Sequence, residues 1–156
     1  MLKSAPIQLV DYFFNEISVK RNDRLDWNSE INQFNDGKMS VYRDIRFPIS
    51  DNHSLIAIQL KFLMQEDESG QPPIIASIDM QGLFEIHGSV EWSLEDKIRF
   101  VGVSGASILY GIIREQITGL SSRVIPGAKP FIVPTISFDP DGVNAEEVIA
   151  EHQIEQ

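Results

Sequence analysis

Three histidines are the side chains best suited to act as bases or metal ligands near neutral pH: His53 beside Asp51, His87 at the end of an alternating apolar run, and His152 in an acidic stretch. Acid–base chemistry needs a second group within hydrogen-bond reach, and none of the three has a partner at a spacing that makes a motif. The sequence contains no His-Glu-x-x-His pair for zinc, no Gly-x-Ser-x-Gly elbow and no glycine-rich phosphate loop closed by Lys. It has no cysteine, so disulfides, thiolate nucleophiles and cysteine-based zinc sites are excluded. Acids gathered by folding, for instance beside Glu85 and His87, leave an enzyme open in principle. The residues themselves point to no catalytic group, no metal and no cofactor.

Charge narrows the partners. The 156 residues carry 13 Lys plus Arg against 23 Asp plus Glu, a formal charge of -10, and no basic side chain other than His152 follows Lys129. Such a field repels phosphate backbones and anionic lipid and attracts basic segments over a salt-dependent range. Plain solubility is the alternative use of the same charge. The start, MLKSAPIQLV, lacks a secretory apolar core, and no run approaches the roughly 20 apolar residues of a membrane span. A cytoplasmic chain without nucleic-acid or membrane partners is expected.

Four alternating runs predict strands. From Ile7 to Val19 one face carries Ile7, Leu9, Phe13, Ile17 and Val19, while Val10, Tyr12 and Phe14 spoil the polarity of the other. That irregularity reads as a bulge or as an edge covered by another subunit. After the Asn35-Asp36-Gly37 turn, Val41, Ile45 and Phe47 alternate with Tyr42, Asp44 and Arg46 as far as Pro48. Ile56, Ile58, Leu60, Phe62 and Met64 mark a third strand; Ile74, Ala76, Ile78, Met80, Phe84 and Ile86 mark a fourth. The period then changes. Ser93-Leu94-Glu95-Asp96 predicts a helix start, Ser104-Gly105 a break, and a second helix follows from about Ser107 to Arg123. Its stripe is Leu109, Ile112, Ile113, Ile117, Leu120 and Val124. Strands first and helices later predict an α+β domain: a four-stranded antiparallel sheet with two main helices on one face.

Gly111 and Gly119 lie within the second helix, each costing about 1 kcal/mol relative to Ala. Eight residues set them within about 80° of each other around the axis, so they are read as a subunit contact, or else as glycines tolerated by a well-packed helix. Beyond the helix, Ile125, Phe131, Ile132 and Val133 sit among Pro126, Gly127, Pro130 and Pro134, where neither helix nor central strand can form. Trp27 lies in a polar loop. These side chains either plug the domain's own core or line a groove filled by a partner.

The stretch from Ser107 to Asp139, SILYGIIREQITGLSSRVIPGAKPFIVPTISFD, resembles the end of the SecB chaperone family. The carrying residues are Arg114, Glu115, Ile117 and Thr118, then Ser122 and Arg123, then Pro134, Phe138 and Asp139. Upstream, Asn15-Glu16-Ile17-Ser18, Asp26-Trp27 and Gly82-Leu83-Phe84-x-Ile86-x-Gly88 follow in family order. The resemblance implies a SecB-like domain over residues 1–142; the acidic tail 143–156 reads from its own residues as a short helix, with Asn144 as cap and Glu146 and Glu147 in the first turn, or as disordered. It implies an ATP-independent holdase working as a dimer of dimers on unfolded polypeptides in protein export, with SecA as a partner. Trp27, Phe84 and Phe138 would line the client groove, joined by Phe131 and Ile132 from their position after the helix. Glu16 and Ile75 would belong to the SecA-type contact face. Lys20 and Ser77 stand where acids are expected on that face, which keeps an antitoxin-dedicated chaperone in view, beside a small-ligand or peptide-binding module of the same fold.

Overall fold

The computed structural model describes residues 5–25, 27, 38–46, 55–68, 70–87, 91–127 and 130–154. Strands β1 (Ile7–Arg21), β2 (Lys38–Arg46), β3 (Leu55–Gln65) and β4 (Ile74–Ile86) form one sheet in the order β1-β4-β3-β2, antiparallel throughout. Phe47, the Asn35-Asp36-Gly37 turn and the Asp51–His53 pair lie outside the described residues. Period-two geometry works cleanly in the two central strands. Ile56, Ile58, Leu60, Phe62 and Met64 of β3 and Ile74, Ile78, Met80 and Phe84 of β4 are all fully buried, because helices cover that face.

The edge strand β1 departs from simple alternation. Its register against β4 shifts between Leu9 and Asp11 and again between Phe14 and Glu16. Each shift is a bulge that turns the following side chains over. Tyr12 and Phe14 therefore share the core side with Leu9, opposite Gly82 and Met80, and Phe13 points to the outer face opposite Gln81. This corrects the expected placement of Phe13 on the inner face. The second bulge restores phase, so Ile17 and Val19 again face inward, opposite Ile78 and Ala76.

Helix α1 (Leu94–Phe100) opens as its sequence predicts: Ser93 Oγ accepts a hydrogen bond from the Asp96 amide at 3.1 Å, with Glu95 and Asp96 in the first turn. Ser104-Gly105 does not break the chain. Val101–Gly105 forms one π-helical turn that runs directly into α2 (Ala106–Val124). The glycines serve close packing there. A methyl group on Gly105 would lie 2.8 Å from Ile58 Cδ1, and one on Gly102 would lie 2.8 Å from Ile45 Cδ1 and Val143 Cγ2. Across the interface, a methyl on Gly82 of β4 would stand 2.6 Å from Leu109 Cδ2. Leu109, Ile113 and Ile117 are buried as the stripe predicts, joined by Ala106, Tyr110 and Ser121.

After a Pro140–Gly142 3-10 turn, α3 (Ala145–Ile154) starts with Asn144 accepting from the Glu147 amide at 3.3 Å and donating to its carboxylate at 3.0 Å. Val143 and Ala145 are part of the core, and Val148 and Ile149 pack against it. The start of the 143–156 segment is thus seated on the domain.

Gly82→Ala is expected to destabilise the fold by about 1–3 kcal/mol, since the fully buried Leu109 and Phe84 side chains must shift within a packed core to admit the methyl. Gly111→Ala, with nothing within 4 Å of its added methyl, should stabilise α2 by about 1 kcal/mol. Denaturant midpoints of the two variants, read as a pair, check the helix–sheet spacing.

Candidate functional site

The segment from Pro130 to Asp139 follows α2 without joining sheet or helix. Prolines 130 and 134 remove two amide donors and forbid a regular ladder. Its backbone is satisfied by side chains instead. The Phe131 amide donates to Ser121 Oγ at 2.7 Å, Arg114 Nε donates to the Val133 carbonyl at 3.0 Å, and Tyr110 OH donates to the Pro134 carbonyl at 2.7 Å. At the far end Arg43 Nη2 reaches the Asp139 carbonyl at 3.4 Å. Among the described residues no backbone–backbone bond holds 130–138. The segment is a strap, antiparallel to α2, running from the helix's last turns back to the β2 edge.

Strap side chains split by side. Val133 is fully buried; Phe131, Ile136 and Phe138 are half-buried against the core; Ile132 is 67% exposed. Beneath the strap, Tyr110 joins the two layers. Its ring lies 6.4 Å from that of Phe62 and meets Phe138 edge-on at 6.2 Å, and its hydroxyl lies 3.9 Å from Met39 Sδ. Burial raises the Tyr110 phenol above its usual range, with the nearby Arg114 charge acting the other way. Ser121, fully enclosed, donates its own hydroxyl hydrogen bond to the Thr118 carbonyl at 3.2 Å.

Arg43 is the residue that sequence reading missed. It pairs with Leu60 on the inner face of β2, in step with Val41 and Ile45. That break in an otherwise apolar register was the available signal. Its Nη1 donates to the Gly102 carbonyl of the π-helical turn at 2.7 Å, and the guanidinium lies 5.5 Å from the Phe138 ring centroid. Burial pushes the guanidinium below its usual range, opposed by Asp139.

The sequence-predicted residues are therefore only partly gathered. Phe131, Ile132 and Phe138 share the strap. Phe84 does not line a surface: it is 0% exposed, opposite Leu9 and Ile56 and beneath Gly105, because its register places it on the covered face. Trp27 is half-buried beyond β1, its indole donating to the Asn22 carbonyl at 2.8 Å; Asn22 is itself buried and bonded to Glu66 and the Pro72 carbonyl. A shallow depression beside it is lined by Asn22, Arg24, Gln65, Glu66 and Ile75.

On the opposite, uncovered face of the sheet, Glu16 stands across from Asp79 and Lys20 across from Ile75. Ser77 Oγ donates to Glu16 at 3.1 Å, while Asn15 and Gln59 donate to Asp79 at 3.2 and 3.0 Å. Gly111 and Gly119 are exposed, with open space where a side chain would be. The β1 edge leaves Val10, Tyr12, Phe13 and Ile17 between 44% and 54% exposed. His87 keeps a buried Nε2 without a hydrogen-bond partner, and among the described residues no cluster of three or more acids and histidines could hold a metal. No helix of the described residues is long and apolar enough to cross a membrane.

The chain is similar to a solved structure of the Mycobacterium tuberculosis Rv1957 SecB-like chaperone in complex with a ChAD peptide from the Rv1956 HigA1 antitoxin. The similarity has a TM-score of 0.57 and covers 85% of this chain and 88% of that one, at 15% identity. The fold is SecB-like. A Streptococcus agalactiae protein of unknown function is similar too, with a TM-score of 0.50 over 85% of this chain and 96% of that one, at 13% identity. No protein-family model and no curated protein matches the sequence. At such identities the SecB-like architecture is what is shared.

Tyr110, its phenol raised by burial, should ionise above the free-tyrosine range. Its neutral form is favoured by folding, so its stabilising contribution is complete below the free-tyrosine value of about 10 and falls away as pH rises from there through the raised native value. Phenolate absorbance during alkaline titration checks this, and Tyr110→Phe should remove the late component.

Proposed function

We propose that this chain is an ATP-independent holdase that binds unfolded polypeptide as a homo-oligomer, without cofactor or catalytic residue. The observation that carries the reading is the strap. It presents Ile132 to solvent between half-buried Phe131 and Phe138 on a segment with no ladder of its own. These strap side chains form the client surface, with Trp27 a separate apolar contact beyond β1. Burying apolar client area there contributes about 25 cal/mol per Å², offset by the ordering of the client. The chain's excess of acids favours capture of basic unfolded segments.

Assembly is part of this proposal. The apolar β1 edge and the open side of α2 at Gly111 and Gly119 are the subunit contacts, arranged as a dimer of dimers in the cytoplasm. An edge strand with exposed apolar residues needs cover, and exposed helical glycines let a second backbone approach. For the client pathway, two uses fit the same surface. The structural relative bound to an antitoxin peptide favours a dedicated antitoxin client. Export through SecA would use the uncovered sheet face at Glu16 and Ile75, where Asp79 supplies a second acid opposite Glu16 and Lys20 beside Ile75 opposes one.

Stoichiometric protein should slow aggregation of a chemically unfolded model client in the absence of nucleotide. Ile132→Ser and Trp27→Ala should each weaken this by several-fold, and light scattering reads the effect. No suppression by the wild type would sink the proposal. Native mass measurement should give a particle of more than one subunit, and Gly111→Leu should shift it toward smaller species; a wild-type monomer would remove the assembly.

A further inference from the structure

The strap is seated the way an extended foreign polypeptide would be seated. Three side chains, Arg114, Tyr110 and Arg43, donate to its carbonyls at Val133, Pro134 and Asp139, and Ser121 accepts from its Phe131 amide. All four contacts read main-chain atoms, which every peptide offers. Apolar side chains along the same track turn inward at Phe131 and Val133 and, after a shift of phase at Pro134, at Ile136 and Phe138, with Val133 enclosed, the others half-enclosed and Phe138 against Tyr110. The strap's own stretch from Phe131 to Phe138 is uncharged. Regular secondary structure stops at both of its ends. Gly127 adopts φ of 84° at one end, and the short Pro140–Gly142 turn bounds the other.

We infer that residues 130–139 occupy a main-chain-reading site between α2 and the β2 edge, and that an uncharged, extended segment of a client displaces them to bind there. This rests on the holdase reading and specifies its site: Arg43, Tyr110, Arg114 and Ser121 are the recognising groups, and the strap is their resident occupant. Side-chain donors aimed at carbonyls explain tolerance of sequence, and the apolar surroundings of Val133 and Ile136 disfavour charged side chains at those two positions. The strap lowers apparent affinity by the fraction of molecules in which it is seated. Ile132, facing outward, makes first contact before exchange.

The probe is a labelled peptide copying residues 130–139, Pro-Phe-Ile-Val-Pro-Thr-Ile-Ser-Phe-Asp, titrated by fluorescence anisotropy. Val133→Ser loosens the strap while leaving all four recognising side chains, and it should bind the peptide about tenfold more tightly than the wild type. Ile136→Ser, nearer the surface, should act in the same direction and serves if the first variant fails to fold. Adding Arg114→Gln to either should reverse the gain, and a peptide with Asp at the positions of Val133 and Ile136 should not bind. If the loosened variants bind no better while the wild type still suppresses aggregation, displacement is overturned and the holdase reading stands. If neither peptide nor unfolded client binds to any form, both fail together.

Discussion

At Gly82 and Gly105 the long helix and the sheet approach so closely that an added methyl would press on Leu109, Ile58 and Phe84. Everything on the covered face follows from that spacing. It brings Leu109 and Ile113 down onto β3 and β4, and it leaves Tyr110 turned toward the β2 side, where its hydroxyl stands clear of the core. The strap can then run alongside the helix rather than over it. A wider helix–sheet gap would carry Tyr110 and Arg114 away from the carbonyls they now hold.

The π-helical turn belongs to the same arrangement. A wider turn in the middle of a helical run leaves backbone groups poorly matched to their neighbours, and the Gly102 carbonyl is taken by Arg43 from an adjacent strand. One side chain therefore ties the start of the helix, the edge of the sheet and the end of the strap together. A guanidinium suits this post because it keeps its charge when partly buried and offers several donors in fixed directions.

Much of this was legible in the residues. Strict alternation in β3 and β4 identified the covered face, since each inward position is apolar and each central strand has a neighbour on both sides. Ser93 and Asn144 announced their helices through local hydrogen bonds that need no tertiary context. Prolines 130 and 134 announced a segment that no ladder could hold. What stayed hidden depended on distant partners. Nothing near Tyr12 states that two bulges will exchange its face with that of Phe13. Ser104-Gly105 looks like a break until Ile58 and Phe84 are set against it, when the missing side chain becomes room for packing. Phe84 was assigned outward by resemblance although its own register, shared with Ile78 and Met80, put it inside. Arg43 was passed over because a charge on an apolar face reads as an irregularity until its acceptors, 59 and 96 residues further on, are in view.

The paired bulges of β1 carry a consequence for solubility. A straight fifteen-residue apolar edge would template endless growth of stacked strands, each new copy offering the same row of amides and carbonyls. Here that row is interrupted twice and out of step with a flat strand. A neighbouring strand lacking matching interruptions cannot zip along its full length, so the geometry frustrates fibres.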